Sequence, residues 1–216
     1  MRSPITATLL TLASLLVISP VHGQTQLLSS SEGDDPQAEP ATQILSNSLV
    51  YDDAKKTSVF VGDVIMTRGL LTLRADKLDM REDSEGFQYG IATMDDDGRV
   101  HIRQERPENF EVLEGLGERA EYDGKLETFD LIGKARLTRF ICGKPLDTIS
   151  GQQVRYYQKT ETYQAVGGAN SDNTDGRVRS VAQPRAKVDA AIEDCRALHA
   201  EGNLPAGVPT PETLDD

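Results

Sequence analysis

Between residues 42 and 184 the chain alternates apolar and polar side chains in runs of five to eight, broken by Gly and Asp-Gly pairs. That period of two predicts β-strands. In "SVFVGDVIMTRG" one face carries Phe60, Val64 and Met66, with Gly62 among them; the other carries Val59, Val61, Asp63, Ile65 and Thr67. In "DLIGKARLTRF" the equivalent positions are Leu131, Ala135 and Leu137 against Asp130, Lys134, Arg136 and Thr138. Only the first face stays apolar in both stretches, so it is expected to point inward and the other to meet water. The alternation then slips. Leu71, Leu73 and Ala75 are followed by Leu78 and Met80, and Ile149 and Gly151 by Val154 and Tyr156. A strand cannot skip a place without a bulge, so each slip predicts a strand turning a corner between two sheets. Asp95-Asp96-Asp97-Gly98 reads as a hairpin turn leading into "RVHIR".

The pattern repeats at a larger scale. "YDDAKKTSVFVG" (51–62), "YDGKLETFDLIG" (122–133) and "YYQKTETYQAVG" (156–167) share a Tyr, a Thr six places on and a Gly eleven places on. Each is a hairpin-sized unit whose Gly62, Gly133 or Gly167 marks a bend or a close backbone approach. One such unit cannot bury its apolar face alone, so several must stack. The expectation is an all-β body of repeated antiparallel hairpins, a jelly roll or a short solenoid. The recurrent Tyr51, Tyr122 and Tyr156 suit either a packed core or the wall of an apolar cleft; composition does not choose between them, and periodicity alone favours the core.

The flanks read differently. Residues 1–23 carry a basic start, an apolar run of about 14 residues and "SPVHG", the grammar of a cleavable export signal ending at Gly23. The alternative, an uncleaved membrane anchor, is disfavoured because a span needs about 20 apolar residues. Residues 24–41, rich in Ser, Asp, Glu and Pro, read as a disordered lead-in. Val188, Ala191, Ile192, Cys195 and Leu198 form one stripe of a short helix over 186–201. Residues 202–216, with three prolines and an acidic finish, read as a tail.

Charge and composition narrow the chemistry. A net charge of −12, one unit more negative once Arg2 leaves with the signal, makes a poor partner for nucleic-acid phosphates. Of three histidines, His22 lies in the signal, His101 in a strand and His199 at the helix end. No nucleophile–base arrangement, zinc-protease motif or phosphate loop accompanies them, so no catalytic residue is expected. The Asp95–Asp97 run lacks the spaced oxygens of a calcium loop and is expected to be a solvated turn, so neither metal nor cofactor is expected. Cys142 and Cys195 can pair in an oxidising compartment or remain two thiols; sequence alone does not bring their Cα atoms together.

The ordered series "FVGDVIMTRGLLTLRADKLDM" (60–80), "AEYDGKLETFDLIGKARLTR" (120–139) and "ISGQQVRYY" (149–157), behind an export signal, resembles the periplasmic lipopolysaccharide-transport proteins of the LptA/OstA-like type. The resemblance covers residues 42–185 and is loose over 81–116. It implies a twisted, open β-jelly roll of repeated antiparallel hairpins, here followed by a short C-terminal helix. It also implies a non-enzymatic periplasmic carrier that binds lipopolysaccharide through its lipid A acyl chains and passes it from the inner to the outer membrane. Partners would be similar β domains on inner- and outer-membrane components and further copies stacked end to end. The alternative is a membrane-associated or scaffolding module of the same fold that docks partners without carrying lipid. By position the groove would be lined by Ile44, Tyr51, Phe60, Val64, Met66, Leu78, Ile102, Tyr122, Leu131, Leu137 and Tyr156. The helix extends beyond the family's usual core and is expected to fold against one end of the β body, with a Cys142–Cys195 disulfide or two unpaired thiols both left open.

Overall fold

Each skipped place in the alternation is a bend in the backbone. The computed structural model describes residues 40–160 and 162–211. The expected export signal, nearly all of the expected lead-in and the last five residues lie outside them. The strands are β1 (Thr42–Leu45), β2 (Ser48–Asp52), β3 (Thr57–Arg68), β4 (Leu71–Glu82), β5 (Gln88–Thr93) and β6 (Val100–Arg106). A second set follows: β7 (Glu111–Gly117), β8 (Arg119–Asp123), β9 (Thr128–Ile141), β10 (Lys144–Tyr157), β11 (Thr162–Val166) and β12 (Arg179–Val181). Among the described residues one α-helix, α1 (Arg185–Ala200), comes last.

All pairings among the described residues are antiparallel, and they separate into two layers. The first runs β2, the first part of β3, the last part of β4, β5, β8, the first part of β9, the last part of β10, and β11. The second runs β1, the rest of β3 and β4, β6, β7, the rest of β9 and β10, and β12. Four long strands thus pass through the corner between layers, and four positions are filled by pairs of short strands broken at it. Residues 42–106 and 111–181 each supply the same sequence: broken, long, long, broken. This is the all-β twisted jelly roll, with its short C-terminal helix.

The corner has one construction used twice. Between Val61 and Val64, β3 carries one more residue than β4 opposite, and between Ile132 and Ala135, β9 carries one more than β10. The extra residue is taken up by left-handed pairs, Gly62 (φ +83°) with Asp63 (φ +47°) and Gly133 (φ +74°) with Lys134 (φ +44°). The links crossing the corner hydrogen-bond to these bends: Asn47 N donates to Gly62 O (2.9 Å) and Glu118 N to Gly133 O (2.9 Å). Gly167 is the other kind of site. Its backbone lies so close to the loop before β12 that a Cβ would meet Gly176 O at 2.6 Å.

Small residues fill the apex, where the layers converge. Val64 faces Ala75, Ala92 faces Ala120, and Ala135 faces Gly151. Larger side chains, Leu73, Leu78, Ile102, Leu131 and Val154, complete one buried cluster drawn from both layers. Burying such a side chain stabilises by about 1.5–3 kcal/mol, which is what holds the bend closed.

Three expectations need correction. The Asp95–Gly98 turn is not a hairpin, because β5 pairs with β4 and β8 while β6 pairs with β4 and β7. It is a crossing between layers, held where Asp95 N donates to Asp76 Oδ2 (2.8 Å). Asp130 does not meet water: it is 5% exposed, and Arg155 Nε (2.8 Å) and Gln153 Nε2 (2.7 Å) donate to it from the neighbouring strand. That hydrogen bond also holds the Arg155 guanidinium above its ordinary range. The segment after α1 does not hang free. Leu204 and Val208 pack with the helix, Pro209 is buried, and Arg103 Nη2 donates to Gly207 O (2.9 Å).

The helix stripe packs as a unit. Val188, Ala191, Ile192, Cys195 and Leu198 meet Phe110, Ile141, Cys142 and Leu146 at the turn end of the second layer. A disulfide joins Cys142 to Cys195, with Cα atoms 5.6 Å apart.

Candidate functional site

Away from the apex the layers part, and the inward faces no longer fill the gap between them. A cavity of about 810 Å³ opens there. The second layer contributes Met66, Leu71 and Leu73; the first contributes Leu78, Met80, Ala92, Ala120, Tyr122 and Phe129. Pro40, Gly69 and Leu70 at the turn end of one layer, and Gly86, Phe87, Gly124 and Glu127 at that of the other, also line it. A second cavity of about 210 Å³ lies between β6, β7, β9 and β10, walled by Ile102, Leu113, Gly115, Leu131, Leu137, Val154, Tyr156 and Tyr163. Leu71, Gln104, Phe129 and Gln158 line both, so the two are neighbouring parts of one interior. Gly115 keeps it open, since a Cβ there would meet Leu131 Cδ1 at 2.9 Å.

The side chains singled out in the sequence distribute unevenly over this space. Met66, Leu78 and Tyr122 line the larger cavity, and Ile102, Leu131, Leu137 and Tyr156 the smaller. Ile44 and Phe60 pack against the buried cluster without lining either cavity. Val64 is sealed under the bend at 1% exposure and lines neither. Tyr51 is in a different place altogether: it is 58% exposed on β2, its hydroxyl donating to Asp53 Oδ1 (2.8 Å). Among the described residues β2 pairs only with β3, and none of their strands covers the ring.

Sequence reasoning missed several lining residues. Leu71, Leu73, Met80 and Val154 sit on the inward face that the alternation identifies, and carrying that parity through would have found them. Phe129 lies two places before Leu131 on the same face, its ring 5.6 Å from that of Tyr122. Leu113 and Gly115 fall in the stretch with no clear repeat and gave no such signal.

One wall of the interior is charged. Arg106 Nη1 donates to Glu111 Oε1 (3.0 Å), and Glu111 is 4% exposed. Burial works against the Arg106 charge, but Glu111 and the nearby Tyr163 and Tyr156 outweigh it and hold the guanidinium above its ordinary range. Burial pushes the Tyr163 phenol up, so it stays protonated at neutral pH. Thr42, Arg68, Gln88, Gln104, Glu121 and Gln158 also line the larger cavity, so the interior combines apolar walls with polar groups, as an amphiphile requires.

Comparison with known proteins gives the same direction. The family described as the LptA/(LptD N-terminal domain) LPS transport protein matches residues 43–162. Among solved structures, the fold is similar to the crystal structure of LptH, the LptA homologous periplasmic component of the conserved lipopolysaccharide transport device from Pseudomonas aeruginosa. That similarity has a TM-score of 0.55 at 21% identity and covers 67% of this chain and 96% of LptH. No curated protein matches the chain in sequence. The repeated corner, the open interior and a family match over more than half the chain agree: this chain belongs to the LptA/LptD N-terminal-domain family of lipopolysaccharide transport proteins, which is not a family of enzymes.

Proposed function

We propose that this protein is a non-enzymatic periplasmic carrier that holds lipid A acyl chains between its two layers and passes lipopolysaccharide from the inner to the outer membrane. The observation that carries the reading is the unfilled interior of about 810 Å³, lined by Met66, Leu71, Leu73, Leu78, Met80 and Phe129. Each CH₂ withdrawn from water there contributes roughly 0.8 kcal/mol. In a protein of charge −12, long-range attraction does not recruit a phosphorylated sugar, so apolar burial supplies the main driving force.

Passage along a chain of like domains needs ends that join. Among the described residues β1 and β2 pair only with β3, and β11 and β12 only with β10, so each side of the sheet there presents unpaired backbone groups. The first side also exposes Leu45, Leu49, Val50 and Tyr51; the second exposes Val166 and Val181. Strand addition at these edges accounts for stacking on further copies and on similar domains of inner- and outer-membrane partners. Tyr51 then belongs to a joint rather than to the groove.

Conditional depletion in the native cell tests the reading. Newly made lipopolysaccharide is expected to stall before the cell surface, and complementation by a chain with a polar interior (Leu71→Asp with Phe129→Asp) is expected to fail. Full complementation by that folded, exported variant would instead favour a module that only docks partners. The N-terminus of the exported chain is expected at Gln24; an intact Met1 would favour a membrane-associated form.

A further inference from the structure

We infer that Arg106 binds the anionic headgroup, a phosphate in the first instance, of an amphiphile whose hydrocarbon occupies the interior, and so makes the cavity selective for anionic over neutral lipids. The inference rests on the carrier reading above and adds a chemical preference that an apolar groove alone lacks.

The wall that holds Arg106 is otherwise apolar where it is deepest. On the inward face of β6 the series runs Val100, Ile102, Gln104, Arg106, from sealed core to cavity. Opposite, on β7, it runs Gly115, Leu113, Glu111. Polarity therefore rises along the wall with distance from the apex, as the two ends of an amphiphile require.

Glu111 is buried while the Arg106 side chain stays 34% exposed, and desolvating a carboxylate is costly even when it is paired. Packing therefore does not account for charge at these inward positions. The arrangement also makes Arg106 releasable. Glu111 is shared: its other carboxylate oxygen lies 3.7 Å from Arg139 Nη1, and Arg139 is in turn paired with Asp147. Asp147 accepts a further hydrogen bond from Gln183 N (2.7 Å). If Arg106 turns to a ligand, Glu111 keeps a cationic partner and no carboxylate is left buried alone. The guanidinium carries five donors; Glu111 takes one from Nη1 and the Tyr163 hydroxyl accepts another, which leaves donors for a phosphate oxygen. From the other layer, Tyr156 and Tyr163, stacked with centroids 4.7 Å apart, line the same cavity, and Tyr163 keeps a phenolic proton to donate.

Isothermal titration of the exported protein tests this with three probes: dodecyl phosphate, dodecyl maltoside and inorganic phosphate, the amphiphiles below their micelle concentrations. The wild type is expected to bind dodecyl phosphate about tenfold more tightly than dodecyl maltoside. Arg106→Met is expected to weaken dodecyl phosphate binding until the difference between the two amphiphiles disappears. Arg106→Lys is expected to restore part of it, and Glu111→Gln, which frees the guanidinium, to widen it. Equal affinity of the wild type for both amphiphiles, or a preference that survives Arg106→Met, overturns the inference and leaves the carrier reading standing. Inorganic phosphate binding as tightly as dodecyl phosphate overturns it too, because the headgroup site would then be independent of the chain. Failure of both amphiphiles to bind overturns the carrier reading along with it.

Discussion

Gly62 and Gly133 do the same work in the two halves of the molecule, and both hold a left-handed backbone that would strain a side chain. At Gly133 (φ +74°) a Cβ would meet Glu118 Oε2 at 2.2 Å, and at Gly62 (φ +83°) Asn47 Nδ2 at 2.5 Å. Gly62→Ala and Gly133→Ala are each expected to destabilise by about 1–3 kcal/mol in urea denaturation, more than Gly86→Ala, which has a similar φ but nothing within 4 Å. Leu73→Ala, at the base of the interior, is expected to cost about 2–5 kcal/mol in the same measurement. Glu118 gives a pH signature. The Lys134 ammonium, then the Asn170 amide, hold its carboxyl below the ordinary 4.5. A lowered folded value means that the stabilisation is complete above about pH 4.5 and is lost as pH falls through the folded value. Glu118→Gln is therefore expected to flatten the loss of stability on acidification below pH 4.5, and an unchanged acid limb would remove Glu118 from the account. At this scale the inward parity was legible from the sequence, because a half-buried strand writes its burial into every second letter. Asp130 was not, because its partners Arg155 and Gln153 sit more than twenty residues away on β10 and have no local trace.

Among the elements, the four long strands were the most legible and the broken ones the least. The slipped alternation after Ala75 and after Gly151 is a local mark of the corner, so the bend could be read before any pairing was known. The division of β5 from β6 leaves no such mark. A turn between two strands of the same sheet and a crossing between layers use the same Asp and Gly residues, and only the long-range pairing with β8 and β7 distinguishes them. The helix stripe was equally plain, whereas the packing of Leu204 and Val208 beyond it was hidden by the prolines around them. The disulfide fixes α1 to the β9–β10 turn across a sequence separation of 53. Closing a loop of that length restricts the unfolded chain by on the order of 3–4 kcal/mol. Replacing both Cys142 and Cys195 with Ser is expected to lower stability by up to that amount and to raise amide exchange across 185–200 selectively. Uniform protection of the helix in that variant would show that the apolar stripe holds it unaided.

For the molecule as a whole, the two halves place their bends together so that eight strand positions fold into facing layers, packed at the apex and parted beyond it. Small residues at the apex and larger ones farther out give a wall that is solid where the layers must hold and hollow where a ligand would lie. Net charge keeps the surface acidic, and the cationic group in the charged wall, Arg106, is matched to one carboxylate. The central claim, that the space between the layers receives acyl chains, is tested most directly by site-specific photocrosslinking to lipopolysaccharide in the living cell. A photoreactive residue at Met66, Tyr122 or Leu137 is expected to label strongly, and one at Asp63 or Lys134, on the outside of the bends, not to label. Labelling at Asp63 and Lys134 equal to that at Tyr122 would contradict the account.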